Sequence, residues 1–201
     1  NTKEIETLDW IDSLHVTDTF FDIGANVGQY SIYAALRHSG MRIVAFEPEY
    51  ANLYLLWNNL IANGLEHSIK VFSVALSNHN GLSQLHIQDL TPGAALHTES
   101  KDYIGMTKTG HPVIAVEGVA AMSLDNFCAD FGVPPTALKI DVDGTELKVL
   151  QGAPNTLKRV RTMLIEMEVE RMKELPCRGL LVGASFKQVR CDGANQIWQK
   201  V

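Results

Sequence analysis

The residues that could do chemistry gather behind short apolar runs. In Phe20-Phe21-Asp22-Ile23-Gly24-Ala25-Asn26-Val27-Gly28 a carboxylate stands near the end of one such run and two glycines fill the turn behind it. Glycine lets backbone come close to a ligand. Glu47 closes the next run, 23 residues after Gly24, and Pro48 follows it. Nucleotide-binding βαβ units meet a ribose through an acidic residue at an offset of roughly 20 residues, and one carboxylate can accept from both ribose hydroxyls. A third run ends in Val74-Ala75-Leu76, which offers apolar contact to a purine. Three successive runs thus supply one nucleoside pocket, with Gly24, Ala25, Asn26, Gly28, Glu47, Pro48, Ala75 and Leu76 as its expected lining.

Charge decides which nucleoside. A dinucleotide fingerprint needs a second and a third glycine where this loop carries Asn26 and Gln29. Asp22 would repel a pyrophosphate, yet it can accept from an ammonium and suits a nearby sulfonium. S-adenosylmethionine is therefore favoured over NAD(P), which belongs to a rival oxidoreductase reading; a second rival is a catalytically inactive cofactor-binding module. Asp141, near the end of the run Ala137 to Val142, is expected to touch both the methionine end of the cofactor and the incoming acceptor. Glu166, Glu168 and Glu170 alternate and so project on one face; Glu166 is expected at the cleft floor. Methyl transfer to an un-ionised hydroxyl wants a general base, and His97 and His111 are candidates. Asp141-Val142-Asp143-Gly144 superficially looks like a calcium loop, but the glycine is misplaced and the downstream glutamate spacing is wrong, so no metal is expected.

These residues need a scaffold, and the rest of the chain supplies one. Strand-like Thr19 to Ile23, Arg42 to Phe46 and Ile69 to Ala75 alternate with helix-like Gln29 to His38 and Tyr50 to Asn63, the signature of a parallel, doubly wound α/β sheet. Ser123 to Phe131 reads as a helix with Ser123 as N-cap. Strands over Ala137 to Val142 and Thr162 to Val169, with a helix from Glu146 between them, lead to a C-terminal antiparallel hairpin, Phe186 to Arg190 and Gln196 to Val201, split by Asp192-Gly193. Between strand-like Ser83 to Ile87 and Val113 to Glu117 lies Gln88 to Pro112, polar and rich in Gly, Thr and His, expected as a substrate-gating lid.

Composition sets the outer bounds. The 201 residues suit one domain spanning 1–201. A formal net charge of −6 argues against a polyanion, so no nucleic acid partner is expected. Cys128, Cys177 and Cys191 show no metal-ligand spacing and read as reduced thiols in a cytoplasmic protein. No run approaches membrane-spanning length. The chain starts at Asn1, so a removed upstream segment is compatible with it.

Taken together, Asp22 to Gly28, Phe46-Glu47-Pro48, Ser123-Leu124-Asp125 and Leu138-Lys139-Ile140-Asp141-Val142-Asp143-Gly144-Thr145-Glu146, with Leu150 and Gly152 following, resemble the FkbM family of methyltransferases over roughly residues 19 to 170. The resemblance implies the Rossmann-like class I methyltransferase fold, S-adenosylmethionine as cofactor, and O-methylation of a hydroxyl on a small molecule, glycan or natural product. Asp143 departs from the pattern, where the family usually carries Glu.

Overall fold

A computed structural model of the chain describes residues 4–91, 93–94, 113–167 and 176–201. The apolar runs become strands because each is covered on both faces. β1 (Thr19–Ile23) is buried at all five positions and β7 (Ala137–Ile140) at all four, as expected of parallel strands sandwiched between helices. With β2 (Arg42–Phe46), β3 (Ile69–Phe72), β8 (Thr162–Glu166), β9 (Phe186–Asp192) and β10 (Asn195–Lys200) they form a seven-stranded sheet in the order β3-β2-β1-β7-β8-β10-β9. The first five run parallel, and β10 lies antiparallel between β8 and β9. The expected α/β class and C-terminal hairpin are both present.

Helices α1 (Ile5–Asp12), α2 (Gln29–Arg37), α3 (Tyr50–Ala62), α4 (Leu124–Phe131), α5 (Glu146–Gln151) and α6 (Cys177–Gly183) complete the layers. Strand alternation sends Phe21, Phe46 and Ile140 into one core, where Phe46 and Phe127 stack edge to face at 4.8 Å. Phe20, Ile43 and Ala137 face the other core, which Trp10 seals by donating from Nε1 to Thr162 Oγ1 at 2.9 Å. Ser123 is the N-cap of α4 and its Oγ accepts from the Asn126 N–H, as its type predicts. α3 holds no charged residue and leaves Tyr50, Tyr54, Trp57 and Ile61, one helical stripe, exposed.

The structure departs from the sequence reading at several places. The run Ile69 to Ala75 breaks at Ser73 and Val74: β3 stays in the main sheet, and β4 (Ala75–Ser77) joins a second sheet, β4-β6-β5, with β5 (Gly81–Ile87) and β6 (Ala115–Ser123). β6 runs on to Ser123 instead of stopping at Glu117. β7 and β8 end earlier, at Ile140 and Glu166. α1 and α6 were not expected. Among the described residues, no helix is long and apolar enough to cross a membrane.

Candidate active site

A cavity open to solvent lies across the carboxyl ends of β2, β1 and β7 and is closed on one side by the small sheet. Its position follows from topology, since loops leaving parallel strands open onto that crevice. Gly24, Asn26, Glu47, Pro48, Val74, Ala75, Leu76 and Asp141 line it, together with Leu85, Asn52 and Thr145, which the sequence reading did not assign.

Glu47 is a buried carboxyl on the wall of this cavity. Its Oε2 accepts the Asn26 N–H at 2.8 Å and its Oε1 the Glu49 N–H at 2.9 Å. Burial pushes its carboxyl up to about 8, while those two N–H groups pull the other way. Each oxygen has accepted one hydrogen bond and keeps capacity for another. The left-handed Asn26 (φ 50°) is what turns its N–H toward Glu47. Asn26 Nδ2 and Asn52 Nδ2 both donate to the Ala94 carbonyl, at 3.0 and 3.2 Å, and Asn52 Oδ1 accepts from the Gly93 N–H at 2.7 Å. The chain entering the expected lid is thereby pinned to the cavity mouth; Pro92 and residues 95–112, with His97 and His111, lie outside the described residues, as do Glu168 and Glu170.

Three expected cofactor contacts are corrected. Asp22 does not face the cavity: alternation along β1 turns it toward α2, where it is fully buried and its Oδ2 accepts from Ser31 Oγ at 2.7 Å. It therefore cannot meet an ammonium of the cofactor, and burial raises its carboxyl above the usual range despite the Lys139 ammonium 3.6 Å away. Ala25 is a buried turn residue whose N–H donates to the Phe46 carbonyl at 2.9 Å. Gly28 begins α2 at φ 84° and faces Leu56, not the cavity. Gly24 does line the cavity, but a second constraint explains it: a Cβ there would sit 1.8 Å from the Asp141 carbonyl oxygen.

Behind Asp141, at the edge of the cavity, stands a charge cluster whose lysine the sequence reading did not assign. Lys139, only 2% exposed, donates from Nζ to Asp141 Oδ2 at 2.9 Å and lies 5.0 Å from the centre of the Tyr30 ring. Tyr30 in turn hydrogen-bonds Glu4. Glu166 follows Ile165, the partner of Ile140, and so leaves the sheet beside Asp141, but it is not among the residues that line the cavity, contrary to its expected place at the cleft floor; burial, with the Asp141 charge, pushes its carboxyl up to about 8. A lysine within the apolar run Ala137 to Ile140 was the available signal. Beside the cluster, Glu146 accepts the Gly144 N–H at 2.8 Å and burial lifts its carboxyl to about 7, so its contact is within its own turn. Among the described residues, no group of three or more His, Cys, Asp or Glu is arranged to hold a metal ion.

Comparison with known proteins agrees with this architecture. Residues 22–190 match the family model of the methyltransferase FkbM domain. The 31-O-demethyl-FK506 methyltransferase FkbM of Streptomyces tacrolimicus is 28% identical over 174 residues, covering 75% of this chain and 65% of its own length. Methyltransferase sdnD of Sordaria araneosa is 27% identical over 188 residues, covering 82% and 72%. The solved FkbM methyltransferase of Methylobacillus flagellatus KT superposes with a TM-score of 0.63 at 14% identity, over 92% of this chain and 44% of that one. The chain thus spans slightly under two thirds of the first relative and under half of the solved protein. One expectation is overturned here. The exclusion of nucleic acid as a partner does not stand, because a putative rRNA methylase from Clostridium thermocellum shares the fold with a TM-score of 0.60 at 9% identity, over 98% of this chain and 94% of that one. Net charge is a sum over the whole chain and does not fix the character of one face. The strand order, the cavity across β2, β1 and β7, and a family match spanning most of the sequence lead to one conclusion: this chain belongs to the FkbM family and is a methyltransferase domain.

Proposed function

We propose that the chain binds S-adenosylmethionine in the cavity across β2, β1 and β7 and catalyses methyl transfer to a hydroxyl oxygen of a small molecule, sugar or natural product. The observation that carries this reading is Glu47, a buried carboxylate on the cavity wall with one hydrogen-bond acceptor site left on each oxygen, suited to a pair of ribose hydroxyls. The apolar wall of Val74, Ala75, Leu76 and Leu85 suits a purine face and excludes water from it. The residues present therefore fit the cofactor, which when bound supplies a methyl group on a positively charged sulfur. Asp141, whose side chain is 28% exposed, holds the opposite end, its carboxylate fixed by Lys139 so that it can orient an acceptor hydroxyl. The name of the Streptomyces relative supports oxygen as the acceptor atom. A cytoplasmic location belongs to the same reading; all three cysteines are free thiols.

The test is a turnover screen with methyl-labelled S-adenosylmethionine against alcohols, sugars, polyketides and RNA, run beside calorimetry with S-adenosylhomocysteine. Binding with transfer of label to an oxygen is the expected result. Tight binding of a nicotinamide dinucleotide without binding of S-adenosylhomocysteine would overturn the reading. Binding without any transfer would leave a cofactor-binding module.

A further inference from the structure

We propose that Asn52 is a positioning residue of the cofactor site, and that through it the short stretch Gly93-Ala94 acts as a strap: the hold on the strap and the hold on the nucleoside strengthen each other. The proposal rests on the cofactor reading above and deepens it.

Asn52 stands in the first turn of α3 and is 2% exposed. Its side-chain amide meets the strap twice: Oδ1 accepts the Gly93 N–H at 2.7 Å, and Nδ2 donates to the Ala94 carbonyl at 3.2 Å. One side chain here takes a hydrogen bond and gives another at the same reach, which neither a carboxylate nor an alkyl group does. The strap is shaped for this contact. Gly93 has φ 90°, a conformation that glycine takes without strain, and the Ala94 N–H donates to the Thr91 carbonyl at 2.8 Å, closing a turn.

These contacts belong to a ring. From the Ala94 carbonyl a second hydrogen bond of 3.0 Å leads to Asn26 Nδ2, and the Asn26 N–H leads on to Glu47 Oε2 at 2.8 Å. On the other side the Asn52 N–H donates to Glu49 Oε2 at 2.6 Å, and the Glu49 N–H donates to Glu47 Oε1 at 2.9 Å. The ring closes on both oxygens of the carboxyl that the cofactor reading assigns to the ribose. Asn26, Glu47, Asn52 and Ala94 all line the cavity, so the ring is wall and not remote scaffold. A nucleoside seated on Glu47 has the strap as part of its enclosure. Coupling of this kind is reciprocal: whatever the strap in place adds to the affinity of the ligand, the ligand adds to the hold on the strap. Removing the Asn52 amide takes the acceptor from the Gly93 N–H and one of two donors from the Ala94 carbonyl, and the ring opens. Asn59, two turns further along α3, supplies the comparison. It donates from Nδ2 to the Val27 carbonyl at 2.9 Å, tying the same helix to the same loop, and it is not among the residues that line the cavity.

The experiment uses the full chain labelled with ¹⁵N-glycine, with Gly93→Ala identifying the Gly93 amide resonance by its disappearance. In the parent, S-adenosylhomocysteine should slow hydrogen exchange of that amide at least about fivefold. Asn52→Ala should abolish the slowing and raise the Kd of the ligand, read by calorimetry, at least about fivefold, while Asn59→Ala should change it by less than about twofold. Asn52→Asp keeps an acceptor for the Gly93 N–H but sets an oxygen against the Ala94 carbonyl, and when protonated its O–H donates there instead. Its Kd relative to the parent should therefore be worst at pH about 8 and recover toward pH about 5, a profile that general loosening of the fold does not produce. Binding to Asn52→Ala within about twofold of the parent, or Gly93 exchange that ignores the ligand, would overturn the proposal and leave the cofactor reading intact. If Asn52→Ala does not fold, Asn52→Asp decides, and an impairment that is the same at every pH would overturn it. If the parent itself binds no S-adenosylhomocysteine, the cofactor reading falls and takes this proposal with it.

Discussion

Replacing Gly24 by alanine puts a methyl group where another segment of backbone already runs. The added carbon would lie 1.8 Å from the Asp141 carbonyl oxygen and 2.8 Å from its carbon, at φ 78°. A left-handed alanine costs about 1 to 2 kcal/mol, and forcing an extra carbon into a packed site costs about 1 to 3 kcal/mol more. The sum, about 2 to 5 kcal/mol, lowers Tm by about 4 to 20 °C for a chain of this length. The two loops must also part, which moves Asn26 and its hydrogen bond to Glu47 away from Asp141. Gly40 is the control: it has φ 89° but nothing within 4 Å, so Gly40→Ala should show the backbone cost alone. Differential scanning calorimetry and S-adenosylhomocysteine titration of both variants make the comparison. The reasoning is refuted if Gly24→Ala melts no lower than Gly40→Ala and binds like the parent.

Glu47→Gln should weaken S-adenosylhomocysteine binding by about 0.5 to 1.5 kcal/mol in a folded protein, read by calorimetry, because an amide NH2 takes the place of one of the two carboxyl oxygens. Folded Glu47, Glu146 and Glu166 keep protons up to about 8, 7 and 8, whereas the unfolded chain releases them near the ordinary glutamate value. The folded state thus binds more protons across that window, so stability should fall as pH rises through it, with a lower urea midpoint at pH about 8.5 than at about 5.5; a flat or rising profile would contradict the burial of these groups. Asp22→Asn should lower the urea midpoint, since Lys139 loses one of its counter-charges, yet change the S-adenosylhomocysteine affinity of the folded protein by less than about twofold.

Much of the scaffold was legible because its strands are largely buried on both faces and therefore read as short, mostly apolar runs, as Thr19 to Ile23 does apart from Asp22 and Arg42 to Phe46 does after its exposed arginine. The break at Ser73 and Val74 was hidden for another reason: one exposed serine fits the alternation of a half-buried strand, so a chain that leaves one sheet there and enters another looks like one strand. α6 was missed because Gly179 and Gly183 erase its periodicity in seven residues. At the site, Glu47, Pro48, Ala75, Leu76 and Asp141 could be read from their places at strand ends. Asp22 was misread, although alternation with the core residues Phe21 and Ile23 already implied that it points to the opposite face. Lys139 shares that face, and the meeting of the two is a fact of β1 lying beside β7, which no local pattern carries.

The bare stripe on α3 governs how the protein will behave in a tube. Near pH 5.6, where the charges of the chain balance, molecules lose their mutual repulsion, and Tyr50, Tyr54, Trp57 and Ile61 form a seam with no charge on the helix to keep it apart from its neighbours. Self-association there will grow with concentration. The three tryptophans divide the reporting of these events: Trp10 and Trp198 are almost fully buried and Trp57 is 38% exposed. Quenching of Trp57 by iodide therefore follows the coming together of molecules, while the emission of the other two follows their unfolding.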